Sequence, residues 1–191
     1  MTPREIGVAI GLPEPLGAHL RSWRDRFGDP AARLIVPHVT LLGPTIVDEA
    51  TLATVVRHLA RAAATIAPFT LRLTGTDTFL PITPVVYLAV VAGATQCESL
   101  AAAVRAGPLA VPLRFPYHPH VTLAQNVPRA ALDAARERFA GFDAVVDVAS
   151  FGLFHRDARG WRMSHEFALG ARPDRVSPTN GQPGVPTATP A

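Results

Sequence analysis

The sequence predicts an α+β protein built as a bilobal, pseudo-two-fold duplicated unit, with antiparallel sheets flanked by helices around a central cleft. Three observations carry that expectation. The pentapeptide Pro-His-Val-Thr-Leu stands at 37–41 and again at 119–123, an offset of 82 residues, and self-similarity at a fixed period is the mark of a repeated structural unit. Strand-like and helix-like patterns alternate with no Gly-x-Gly-x-x-Gly fingerprint, which disfavours a doubly wound sheet. Finally, 191 residues with 48% hydrophobic and 17% charged side chains supply one well-filled core rather than several domains.

The elements follow in order. Residues 6–11 form a short apolar strand candidate, and the offset lands on 88–93, another one. Over 13–27, Leu16, Leu20, Trp23 and Phe27 recur at helical spacing behind an early proline. The first motif strand is expected over about 34–42. A second helix, about 48–64, gathers Leu52, Val55, Val56 and Leu59 on one face and exposes Arg57 and Arg61. Strands over 69–79 and 85–91 are joined by a proline-rich turn.

The second unit opens its helix with Thr95 and Glu98 in capping-box spacing, and that helix stops by Gly107-Pro108. The second motif strand lies near 120–124, a helix at about 128–139, and strands at about 144–155 and 161–169. Phe69-Thr-Leu maps onto Phe151-Gly-Leu at the same offset. One domain therefore covers 1–170, in halves of about 4–82 and 86–170. Residues 171–191 carry five prolines and no aromatic residue, the composition of a disordered tail.

Charge and cysteine usage narrow the function classes. The pI is about 10.0, yet the formal net charge is only +3 and all 18 basic residues are arginine. The high pI reflects the lack of lysine more than a dense positive field, so long-duplex binding is not implied. One cysteine, Cys97, excludes an intrachain disulfide scaffold and fits a reducing cytoplasm. The apolar stretch 6–12 is short for a signal-peptide core, and 85–94 is about half a membrane span. A cytoplasmic protein with no membrane partner is expected.

In an extended strand, side chains at i and i+2 share a face. His38 and Thr40 therefore emerge together, as do His120 and Thr122, while the intervening Val and Leu turn to the packed side. If the two units face each other, both pairs meet in one cleft. Two imidazoles with ordinary pKa values near 6.5 suit a reaction that removes one proton and donates another. The threonine hydroxyls can donate to phosphate oxygens without adding charge. This is a site for metal-independent phosphodiester chemistry. A lone Pro-His-Val-Thr-Leu is an ordinary buried strand with a hydrogen-bonded histidine; two copies at a repeat offset are not.

Two His-x-Thr strands half a domain apart resemble the 2H phosphoesterase superfamily, specifically its 2'-5' RNA ligase-like (LigT-like) branch. The resemblance spans about 4–170. It implies a bilobal α+β fold that hydrolyses 2',3'-cyclic phosphate ends or 2'-5' linkages of RNA or nucleotides, sometimes with reversible 2'-5' ligation, and it needs no cofactor. Carried over by position, the catalytic residues are His38 and Thr40 in the first motif, His120 and Thr122 in the second.

Weaker substrate-binding candidates surround them. His118 precedes His120 by two residues. With His38 it could complete three zinc ligands, but no carboxylate or cysteine accompanies the set, so His118 is read as lining the cleft. Phe79, Tyr87, Phe115 and Tyr117 could stack on a base; Arg33, Arg114 and Arg156 could reach phosphate oxygens. The expected partner is RNA with a cyclic phosphate end or a small cyclic nucleotide, bound by a monomer without metal. The competing class is a non-catalytic nucleotide- or RNA-binding module on the same fold. Which histidine is acid and which is base stays open, because pseudo-symmetry makes them equivalent.

Overall fold

A computed structural model describes residues 2–170 and 177–178; apart from Ser177 and Pro178, the expected tail lies outside the described residues. Eight strands and four helices follow one another along the domain: β1 (Pro3–Gly11), α1 (Leu16–Arg26), β2 (His38–Asp48), α2 (Leu52–Ala64), β3 (Phe69–Thr78), β4 (Val85–Ala92), α3 (Ala94–Val104), β5 (His120–Gln125), α4 (Arg129–Arg138), β6 (Asp143–Val148), β7 (Ser150–Asp157) and β8 (Gly160–Ala168). Ser177–Pro178 form a two-residue β9 on β8. Among the described residues the strands make one sheet, in the order β6-β3-β4-β5-β2-β1-β7-β8-β9, antiparallel throughout.

The two-lobed expectation takes a particular form. The lobes are β6-β3-β4-β5 and β2-β1-β7-β8-β9, and they are stitched by a single ladder pair, Val39 opposite Val121. Neither lobe coincides with a repeat half: β3 to β6 are consecutive in the chain, and the other lobe joins strands from its two ends. The third strand of each repeat crosses over, β3 pairing with β4 and β7 with β1. Each motif strand is thereby held by its own repeat on one side and meets the other repeat on the opposite side.

Helix boundaries follow local chemistry. Glu14 caps α1 by accepting the Ala18 N–H at 2.7 Å. The capping box expected at Thr95 and Glu98 does not form. Gly93 turns the chain at φ 83° and α3 begins at Ala94, which leaves Thr95 inside the helix without a side-chain cap. Only glycine fits that turn, since a Cβ would stand 2.6 Å from the Thr70 carbonyl oxygen. The first motif strand starts at His38 and not near residue 34, because residues 30–34 form turns before Pro37.

One core underlies both lobes. Leu20 of α1, Val55 and Leu59 of α2, Leu100 of α3 and Leu132 of α4 pack in the same cluster as Val39, Leu41, Val121 and Leu123. That burial, about 25 cal/mol per Å² of apolar surface, holds the motif strands to the helices. It also fixes which face of each motif strand is left for chemistry. No helix among the described residues is long and apolar enough to cross a membrane.

Candidate active site

The two motif strands are built alike to the residue. Over His38–Leu42 and His120–Ala124 the histidine and threonine are half-buried and the remaining three residues buried, in the same sequence. Both strands also carry a bulge at the motif leucine. The β1–β2 register steps from Ala9↔Thr40 to Val8↔Leu42, skipping Leu41, and the β4–β5 register steps from Tyr87↔Thr122 to Val86↔Ala124, skipping Leu123. A bulge bends its strand and re-aims neighbouring side chains. Here it lets two consecutive residues be buried directly after the threonine in both copies.

Each histidine is fixed by the same contact. His38 Nδ1 donates to the Val36 carbonyl and His120 Nδ1 to the His118 carbonyl, both at 2.7 Å. The proline between histidine and acceptor sets the local backbone and has no N–H of its own. Donation from Nδ1 leaves Nε2 as the proton-accepting nitrogen of the neutral ring. Among the described residues neither Nε2 has a protein partner, and no partnerless side-chain nitrogen or oxygen is sealed in the interior. Both Nε2 atoms, and the threonine hydroxyls with them, are therefore open to an incoming ligand.

Burial corrects the expectation of ordinary imidazoles. Desolvation pushes His38 down to about 4; its bond to the Val36 carbonyl opposes this, and the charges of Arg24 and His120 add to the lowering by less. His120 is likewise lowered, first by burial and then by His118, against the opposing bond to the His118 carbonyl. In the free protein at neutral pH both rings are uncharged.

A cleft of about 650 Å³ opens beside the strand junction. Thr40, His118 and His120 line it, as do Phe79, Phe115, Tyr117 and Arg114; His38 and Thr122, on the same two strands, are not among its lining residues. Phe79 sets its ring edge-on to His120 at 4.9 Å and to His118 at 5.6 Å. Tyr117 donates its hydroxyl to the Thr40 carbonyl at 2.9 Å. Arg114 lies over the Phe115 ring.

Two of the arginines expected near phosphate are elsewhere. Arg33 is held by both oxygens of Asp25 at 2.8 and 2.9 Å on the exposed side of α1, and Arg156 pairs with Glu5 across β7 and β1 at 3.4 Å. Neither lines the cleft. Among the described residues no three His, Cys, Asp or Glu side chains are gathered where a metal ion could sit.

Two features of the structure carry no sequence signal. Arg105 lines the cleft from the end of α3, and no motif marks it. The Arg24–Asp29 pair is sealed in the interior at 2.8 Å, both side chains at most 2% exposed; an Arg five residues before an Asp is too common a spacing to notice.

A pinched antiparallel sheet with two mirrored His-x-Thr strands side by side at its waist defines the class of two-histidine phosphoesterases. The family model of the 2'-5' RNA ligase superfamily matches residues 12–160, and the chain belongs to that superfamily of 2H phosphoesterases. A Bacillus licheniformis protein named "Putative phosphoesterase" is 31% identical over 171 residues, covering 87% of this chain and 99% of that one. A like-named protein of Oceanobacillus iheyensis is 29% identical over 169 residues, covering 87% and 98%. Among solved structures, E. coli LigT complexed with NADP+ is 26% identical with a TM-score of 0.63, covering 89% of this chain and 100% of that one. The same protein complexed with 3'-AMP superposes at a TM-score of 0.67 over 88% and 99%.

Proposed function

We propose that this phosphoesterase hydrolyses 2',3'-cyclic phosphate, giving the 2'-phosphate, or the related 2'-5' phosphodiester bond, in RNA ends or small nucleotides. The single observation that carries the reading is the mirrored Nδ1 anchoring of His38 and His120, which leaves two Nε2 atoms free beside two free threonine hydroxyls. One Nε2 takes a proton from the attacking water as the new P–O bond forms. The other ring, protonated, gives its proton to the ribose 3'-oxygen as the old P–O bond breaks. Thr40 and Thr122 hold the non-bridging oxygens in line. Each proton transfer contributes about 10² to 10⁴ in rate.

Both rings are neutral in the free cleft, so the acid must be made by the substrate. An arriving phosphodiester brings a negative charge next to both imidazoles and favours protonation of one. That supports an anionic substrate. The complexes of E. coli LigT with NADP+ and with ATP support a nucleotide. The buried, unpaired Cys97 suits a reducing cytoplasm, and the reaction as drawn needs one copy of the chain, no metal and no cofactor.

The deciding experiment is turnover of the four 2',3'-cyclic mononucleotides and a cyclic-phosphate-terminated oligoribonucleotide with EDTA present, followed by assignment of the product isomer. Accumulation of 2'-phosphate that is lost in both His38→Ala and His120→Ala supports the reading. Tight binding with no turnover in the parent protein supports a binding module instead. Activity lost on chelation and restored by a divalent cation overturns the metal-independent mechanism.

A further inference from the structure

Beyond the Val39–Val121 pair, β2 and β5 part company, and the bulge leaves Leu41 without a ladder partner on the β1 side. A backbone carbonyl in such a place needs a donor from elsewhere, because leaving one buried and unpaired is costly. Two side chains of the second repeat supply donors. Tyr117 donates to the Thr40 carbonyl at 2.9 Å, and Arg105 Nη1 donates to the Leu41 carbonyl at 3.4 Å. The two donors also brace each other, the Arg105 guanidinium lying 4.5 Å above the Tyr117 ring.

Tyr117 is dedicated to this task. Burial raises its phenol well above the ordinary value, so it remains a donor at every working pH. The repeat offset places Ile35 where Tyr117 stands in the other half, so the first repeat has no matching hydroxyl. Thr122 sits in its own ladder much as Thr40 does, opposite Tyr87 and beside the matching bulge, but among the described residues no side chain donates to its carbonyl as Tyr117 does to that of Thr40. The pseudo-symmetry of the cleft is thus broken beneath one threonine.

We propose that Tyr117, steadied by Arg105, is a positioning residue for the reaction: its hydroxyl replaces the strand pairing that β5 withholds and fixes the backbone of Thr40, whose side chain lines the cleft. The rate effect rests on the phosphodiesterase reading above; the structural effect does not. A hydroxyl misplaced by a fraction of an ångström weakens phosphate contacts most in the transition state, where the geometry is most demanding.

Tyr117→Phe tests this, since it keeps the ring under Arg105 and removes only the donor. The expected result is about a tenfold fall in kcat with KM changed less than about threefold. In a Thr40→Ala background the same substitution should have no further effect on kcat, because Tyr117 acts through Thr40. Methyl-labelled threonine NMR supplies a readout that needs no substrate: the Thr40 methyl resonance should shift or broaden in Tyr117→Phe while that of Thr122 stays in place. An unmoved Thr40 methyl, or additive losses in the double variant, overturns the proposal. A parent protein that turns over no cyclic phosphate while Thr40 still responds overturns the reading of function and leaves the positioning role standing.

Discussion

His38 and His120 are held by one and the same contact, an Nδ1–H donated to the carbonyl two residues earlier at 2.7 Å across a proline. The duplication has thus copied a tautomer as well as a motif. Each ring is committed to presenting Nε2.

The pH dependence should lie on the acid side of neutrality. The reaction needs one neutral and one protonated imidazole. With His38 lowered to about 4 and His120 also lowered from 6.5, the free pair holds a single proton only in that interval. The kcat/KM profile, which reports free enzyme, should peak between pH 4 and 6.5 and fall as the pH rises further. Bound phosphate raises both groups, so the kcat profile should be displaced to higher pH. A kcat/KM maximum at pH 7 or above would show that the free cleft is not desolvated as described.

Removing either imidazole should cost about 10² to 10⁴ in kcat, and the two losses should not add. Once the acid is gone the base has a stranded alkoxide to work against, so the His38→Ala/His120→Ala double variant should be within about tenfold of the worse single one. Steady-state rates for the four proteins check this. Fully additive losses would mean that the two histidines act in separate steps.

The site was legible in the sequence because its information is local. Strand periodicity puts His38 with Thr40 and His120 with Thr122 whatever the surrounding fold does, and an identical repeat says that the pairs belong together. The crossing of β3 and β7 between lobes was not legible, since equally short connections allow either pairing and the choice is made by packing. The desolvation of His38 depends on neighbours far off in sequence, and so does the clamp from Tyr117 and Arg105. Charge alone marks Arg33 and Arg156 as phosphate ligands, and only the positions of Asp25 and Glu5 show them engaged elsewhere.

That distinction can be measured on the arginines. Arg33 is 81% exposed and already paired with Asp25, and solvent screens such surface pairs. Arg33→Ala and Arg156→Ala should leave kcat/KM within about twofold of the parent. Arg114 lines the cleft with no carboxylate partner among the described residues, so Arg114→Ala should raise KM for a cyclic-phosphate oligonucleotide by about three- to tenfold, less in high salt. Equal effects at Arg33 and Arg114 would place substrate outside the cleft.

The buried Arg24–Asp29 pair makes a prediction about both stability and chemistry. Asp29 accepts from Arg24 Nε at 2.9 Å and from the Ala31 N–H at 2.8 Å, so it organises the turn that leads into the first motif. Asp29→Ala leaves a guanidinium sealed without its counter-charge and should destabilise the fold by about 3–5 kcal/mol, read from denaturant midpoints. Arg24→Met with Asp29→Leu removes both charges at once and should recover most of that loss. The Arg24 charge is also one of the causes holding His38 low. In the double variant the His38 titration, followed by NMR, should therefore move up towards 6.5, and the acid limb of kcat/KM should move up with it. A recovered fold with an unmoved His38 would confine the pair to a structural role.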